Sequence, residues 1–147
     1  MNSNRLFRLT LRGVLAASTL TLVMYSALTM ADELKFKLTG DKEVPPVTTK
    51  ASGDATFTIN KNMTISGTVM TSGISGNAAH IHLAKAGVNG PVIVPLVKSG
   101  DNGWMVPDGS KLTEDQYKAY IAGELYVNVH SAENKGGEIR AQLLPSK

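Results

Sequence analysis

Apolar and polar residues alternate in short runs along most of the chain. Leu34-Lys35-Phe36-Lys37-Leu38 alternates strictly, which puts Leu34, Phe36 and Leu38 on one face of a strand. Ala55, Phe57 and Ile59 repeat the pattern, and Lys61-Asn62 then turns the chain into a run with Met63, Ile65, Gly67 and Val69 on one face. Two such runs about a short polar turn predict a hairpin. Pro91 to Val97 is apolar, but Pro95 has no N–H to give a ladder and predicts an edge or a bulge. In Glu124–His130 the core face is Leu125, Val127 and Val129, with Tyr126, Asn128 and His130 opposite; in Gly137–Leu143 it is Ile139, Ala141 and Leu143, with Glu138, Arg140 and Gln142 opposite. These last two runs predict a second hairpin.

One segment has helical signals. Thr113 and Gln116 form a capping box ahead of Glu114–Ala122, Leu112 and Tyr117 hold the staple positions, and Gly123 stands where a left-handed cap is wanted. Its apolar stripe is Tyr117, Tyr120 and Ile121. Asp101–Lys111, with Gly103, Pro107 and Gly109, reads as an exposed loop, and Trp104 as a loop residue folded over the core. Turn residues recur between short strand-like runs, so the class is all-β, an antiparallel sandwich or barrel with one short helix.

The first thirty-one residues read differently. Arg5, Arg8 and Arg12 precede an apolar run from Gly13 to Ala27, and Thr29-Met30-Ala31 ends it with small residues at the cleavage positions. That order is a secretory leader, with residues 1–31 removed and 32–147 exported to the periplasm or the exterior with no lasting membrane anchor. The leader also carries the chain's excess charge. Of 15 basic and 12 acidic residues, three arginines and no acid lie before Asp32, so the remainder is neutral. A neutral domain has no basic surface for phosphate backbones, and nucleic acid is not an expected partner. The chain has no cysteine, which excludes disulfides, thiolate metal sites and thiol catalysis.

The chemistry left is that of three histidines. His80 and His82 flank Ile81 on one strand, so they share a face about 6.6–6.8 Å apart along the chain. His130 ends the penultimate strand, also on the face away from the core. Three imidazoles without thiolate suit copper, zinc or nickel, with copper favoured by intrinsic affinity. Glu138 and Arg140 fall across the hairpin from His130 and, with Asn128, form the expected surroundings of the ligands. Met63, Met70 and Met105 are soft donors to weigh for Cu(I). The plainer alternative is a surface His-x-His pair, because spacing alone does not bring His130 to it. No phosphate loop, nucleophile elbow or spaced carboxylate pair is present, so no conventional catalytic residue is assigned.

Taken in order, Glu43-Val44-Pro45-Pro46, Gly53, Phe57, Ala79-His80-Ile81-His82, Asn89-Gly90-Pro91-Val92, Gly123, Tyr126-Val127-Asn128-Val129-His130 and Gly137-Glu138-Ile139-Arg140 resemble the CHRD domain, named for chordin. The resemblance spans about Leu34 to Leu144. Leu83-Ala84 and Ala141 depart from it where glycines are expected. It implies an immunoglobulin-like sandwich or Greek-key barrel, no generally established catalysis, and histidine positions matching His80, His82 and His130. A weaker, local similarity is to copper-zinc superoxide dismutases, whose disulfide and bridging-histidine loop this chain lacks. The leading expectation is an exported copper-binding domain, with zinc as the second choice of ion. The main alternative is a metal-free adhesion or interaction module with an extracytoplasmic protein partner. A dismutase-like redox enzyme is the minor one.

Overall fold

The computed structural model describes residues 33–146; the leader predicted over 1–31 lies outside them. In chain order the elements are β1 (Glu33–Leu38), a single 3-10 turn (Gly40–Lys42), β2 (Ser52–Ile59), β3 (Ile65–Ser72), β4 (Ala78–Leu83), β5 (Val92–Pro95), β6 (Val97–Lys98), β7 (Gly103–Met105), α1 (Glu114–Ile121), β8 (Leu125–His130) and β9 (Ile139–Leu143). They form two antiparallel sheets, β1-β2-β3-β7-β6 and β5-β4-β8-β9, arranged as a sandwich and not as a closed barrel.

The alternation read from the sequence is the reason for this packing. Leu38, Phe57, Val69, Ile81, Val127, Val129, Ile139 and Leu143 all have 0% exposure and fill the space between the sheets. Each large side chain so buried contributes roughly 1.5–3 kcal/mol, which explains how the domain holds without a disulfide. The β2–β3 hairpin pairs Ile59 with Ile65, and Asn62 Oδ1 accepts from the Thr64 backbone N–H at 3.1 Å to shape the turn.

Of the two alternatives for Pro95 the edge holds, and the bulge lies two residues earlier, at Ile93. Pro95 ends β5 on the edge of its sheet, and the β4–β5 register shifts between Ile81 and His82. The next residue, Leu96, is buried between the sheets, and the chain continues as β6 in the other one. At the opposite side Thr39 and Arg140 exchange backbone hydrogen bonds of 3.2 and 3.0 Å, which stitch the end of β1 to β9.

The helix keeps its capping box, with Gln116 N–H donating to Thr113 Oγ1 at 3.2 Å and Thr113 N–H to Gln116 Oε1 at 2.9 Å. Gly123, at φ +74°, turns the chain out of it into β8. Among the described residues no helix is long and apolar enough to cross a membrane.

Two expectations are corrected. Asp101–Lys111 is not simply a loop, because Gly103–Met105 pairs with β3 and buries Trp104 to 4% exposure. Three residues between a glycine and a proline are too few to show alternation. Ile121 is 54% exposed, since a two-turn helix presents only Tyr117, Ala119 and Tyr120 to the core. The face of β4, β8 and β9 turned away from the core is largely covered, with His80 and His130 half-buried. The segment from Gly40 to Thr49 and the loop from Ala84 to Gly90 lie over it, tied together by Asn89 Nδ2 donating to Val44 O at 2.7 Å. Beneath them His82, Tyr126, Asn128, Glu138 and Arg140 are buried.

Candidate metal centre

Strand pairing assembles the site. β4 projects His80 and His82 to the covered face while Ile81 goes to the core. β8 runs alongside with His130 opposite Ala78, Asn128 opposite His80, and Tyr126 opposite His82. The three imidazoles meet there: ring centroids are 5.6 Å apart for His80–His82, 4.9 Å for His80–His130 and 6.2 Å for His82–His130. One nitrogen from each lies within 4.8 Å of the others.

Two of the rings have their tautomers set. His82 Nδ1 is 2.9 Å from Gly90 O, and His130 Nδ1 is 2.9 Å from Lys135 O. A carbonyl can only accept, so each Nδ1 carries the proton and each Nε2 is left with a free lone pair. His130 Nε2 takes a hydrogen bond from His80 Nδ1 at 3.0 Å. His82 Nε2 is buried and has no partner. Bonds of about 2.0–2.1 Å to a metal place two ligand nitrogens no more than about 4.2 Å apart. The rings thus need to close by no more than on the order of an ångström to share an ion.

The electrostatics favour neutral imidazoles. Burial holds the pKa of His80 below its ordinary value, and the neighbouring His130 and His82 push the same way. Burial also lowers His82, outweighing the Gly90 carbonyl that stabilises its charged form. A neutral ring is the form that ligates.

Around the histidines the layer is held by stacking and hydrogen bonds. The His82 ring lies parallel to Tyr126 at 4.6 Å, and the Arg140 guanidinium sits 3.3 Å from the centre of the same phenol ring. β8 lies between β4 and β9, so imidazole and guanidinium take opposite faces of it. Arg140 is anchored in turn to Asn89 Oδ1 at 3.2 Å and Val88 O at 2.9 Å.

The structure brings His80, His82, His130 and Asn128 together. Arg140 is one ring further away, behind Tyr126. Glu138 turns elsewhere: it accepts from Thr49 Oγ1 at 2.6 Å, and hydrogen bonds from Ser131, Thr49 and Asn134 overcome its burial to keep its pKa low. Met70 and Met105 are in the five-stranded sheet and Met63 leads into it, so none shares the sheet of the histidines.

Sequence reasoning assigned no role to Glu43. It is 3% exposed in the cover, beside Asn128 and Arg140, and burial raises its pKa to about 7. The Glu-Val-Pro-Pro run has no alternation, and only its place in the family motif singled it out. Gly137, quoted only in the family motif and as the start of a strand, also has a role here. It takes φ +126°, and a Cβ there would strike Glu43 Oε1 and Asn128 Nδ2.

Comparison with curated proteins and with solved structures gave no match. The family model of the CHRD domain matches residues 34–143, all nine strands of the sandwich within one residue, and the chain belongs to that family.

Proposed function

We propose that this domain binds one transition-metal ion, copper by preference, through His80, His82 and His130, and that it serves outside the cytoplasm to bind, buffer or deliver that ion. The observation that carries this reading is the buried, unpartnered Nε2 of His82 facing a cluster whose ligand nitrogens all lie within 4.8 Å. An uncompensated buried acceptor costs about 1–3 kcal/mol, and a cation removes that cost. Copper is preferred because an all-imidazole set follows the intrinsic affinity order, with zinc next. The predicted leader supports export. Asn128 and Arg140 steady the rings within the layer, and Glu138 fixes the strap through Thr49.

Bound copper would supply Lewis acidity and one-electron redox chemistry. The chain's part is to hold two imidazoles in the ligating tautomer and to cover one side of them. The test is metal content by elemental mass spectrometry on untagged protein, purified after export from copper- and zinc-supplemented medium. About one copper per chain is expected, falling to background in His82→Ala. A parent protein without metal after added Cu(II), or three single His→Ala variants that each bind like the parent, would refute the reading.

A further inference from the structure

Donors and acceptors do not balance in the covered polar layer. Among the described residues four buried side-chain nitrogen or oxygen atoms lack a hydrogen-bond partner: Glu43 Oε1, His82 Nε2, Asn128 Oδ1 and Trp104 Nε1. Three of the four belong to this layer.

The orientation of Asn128 follows from its neighbours. Its Nδ2 faces Gly136 O at 3.4 Å, and a carbonyl requires the amino end of the amide there. The same Nδ2 and Glu43 Oε1 flank the empty side of Gly137. The Glu43 carboxyl lies on the amino side of the amide. The amide oxygen is therefore turned toward the histidines. Asn128 is directly across from His80, two residues before His130 on the same strand, and beside the imidazole of His82. All three candidate ligands surround it.

Two buried lone pairs, His82 Nε2 and Asn128 Oδ1, consequently face one small space while His82 is neutral, and only a proton on His82 or another cation can bridge them. Gly90 O fixes the first and Gly136 O fixes the second. Rotating either group to relieve the clash of acceptors would break a bond to a backbone carbonyl. A cation between them satisfies both at once.

We propose that Asn128 Oδ1 is a fourth ligand, completing a set of three nitrogens and one oxygen around the ion held by His80, His82 and His130. Glu43 packs beside the amino end of the amide, over Gly137. The inference rests on the three-histidine reading. It adds a preference of oxidation state: a hard amide oxygen suits Cu(II) or Zn(II) and adds little for Cu(I).

The experiment compares the parent with Asn128→Ala and Asn128→Asp. Cu(II) and Cu(I) affinities are read by chelator competition, and the Cu(II) environment by electron paramagnetic resonance. Loss of a ligand predicts that Asn128→Ala binds Cu(II) at least about ten-fold more weakly, with altered copper hyperfine splitting, while its Cu(I) affinity stays within about two-fold. Asn128→Asp, which keeps an oxygen, retains Cu(II) binding. An Asn128→Ala protein with parental Cu(II) affinity and spectrum would overturn the proposal while leaving the three-histidine reading in place. A parent protein that binds neither Cu(II) nor Zn(II) would overturn both. If Asn128→Ala does not fold, the parent decides: titration with Zn(II) should shift the Asn128 side-chain 15Nδ2 and 13Cγ resonances until one equivalent is reached. Shifts no larger than those of Asn134 would overturn it.

Discussion

A backbone carbonyl has no proton to offer, and at this site that fact fixes the tautomers of His82 and His130. Glu43 is held by the opposite pressure. Burial beside Asn128 and Gly137 raises its pKa from 4.5 to about 7, even though Arg140 pulls it down. Between about pH 4.5 and 7 the folded protein keeps a proton that the unfolded chain has released. This contribution is full below pH 4.5 and is lost as pH rises through about 7, a change on the order of 3 kcal/mol. His80 and His82, with lowered pKa values, work the other way: their contribution is present above about pH 6.5 and is lost as pH falls. The informative quantity is the difference from Glu43→Gln in metal-free protein. Urea unfolding at pH 5 and pH 8 should show the parent losing more stability, relative to that variant, at the higher pH. An equal change in both would remove the role assigned to this carboxyl. The two-residue histidine spacing was legible in the sequence because a strand's geometry is fixed. The buried state of Glu43 was not, because it depends on a segment folding over a sheet face from 85 residues away in sequence, where Asn128 lies.

Strands declare themselves through alternation, and the hairpins β2–β3 and β8–β9 were readable for that reason. Alternation sorts side chains into two faces but does not say whether the second face meets water. Tyr126, Asn128 and Arg140 were read as the non-core face; they are that, and buried too. β7 was missed because three residues carry no period, yet it contributes the largest apolar side chain of the domain. Trp104 pairs across from Val69 and is covered by Lys98, whose ammonium lies 4.3 Å from the ring centre. Trp104→Ala should cost roughly 3–5 kcal/mol in urea unfolding. Because β7 belongs to the other sheet, the copper affinity of the folded fraction should remain within about two-fold. A large loss of affinity would mean that the two sheets do not act separately on the site.

For the molecule as a whole, an ion that binds only the folded state adds its binding energy to stability. Free copper at a hundred times its dissociation constant should add about 2.7 kcal/mol, which for a domain of this size raises Tm by on the order of 10 °C. Differential scanning fluorimetry with copper, and again after a chelator, measures it; no reversible shift would count against the metal site. The stitch between Thr39 and Arg140 has a further meaning in time. It joins the first strand of the domain to the last, and the covering segment that follows β1 closes over strands made almost a whole chain later. A ribosome or an export channel delivers β1 first and β9 at the end, and contacts so far apart in sequence form late. While the chain is still emerging there is a pair of histidines on β4 with no third imidazole, no amide beside them and no roof. The full cluster of three imidazoles thus exists only when synthesis is nearly finished.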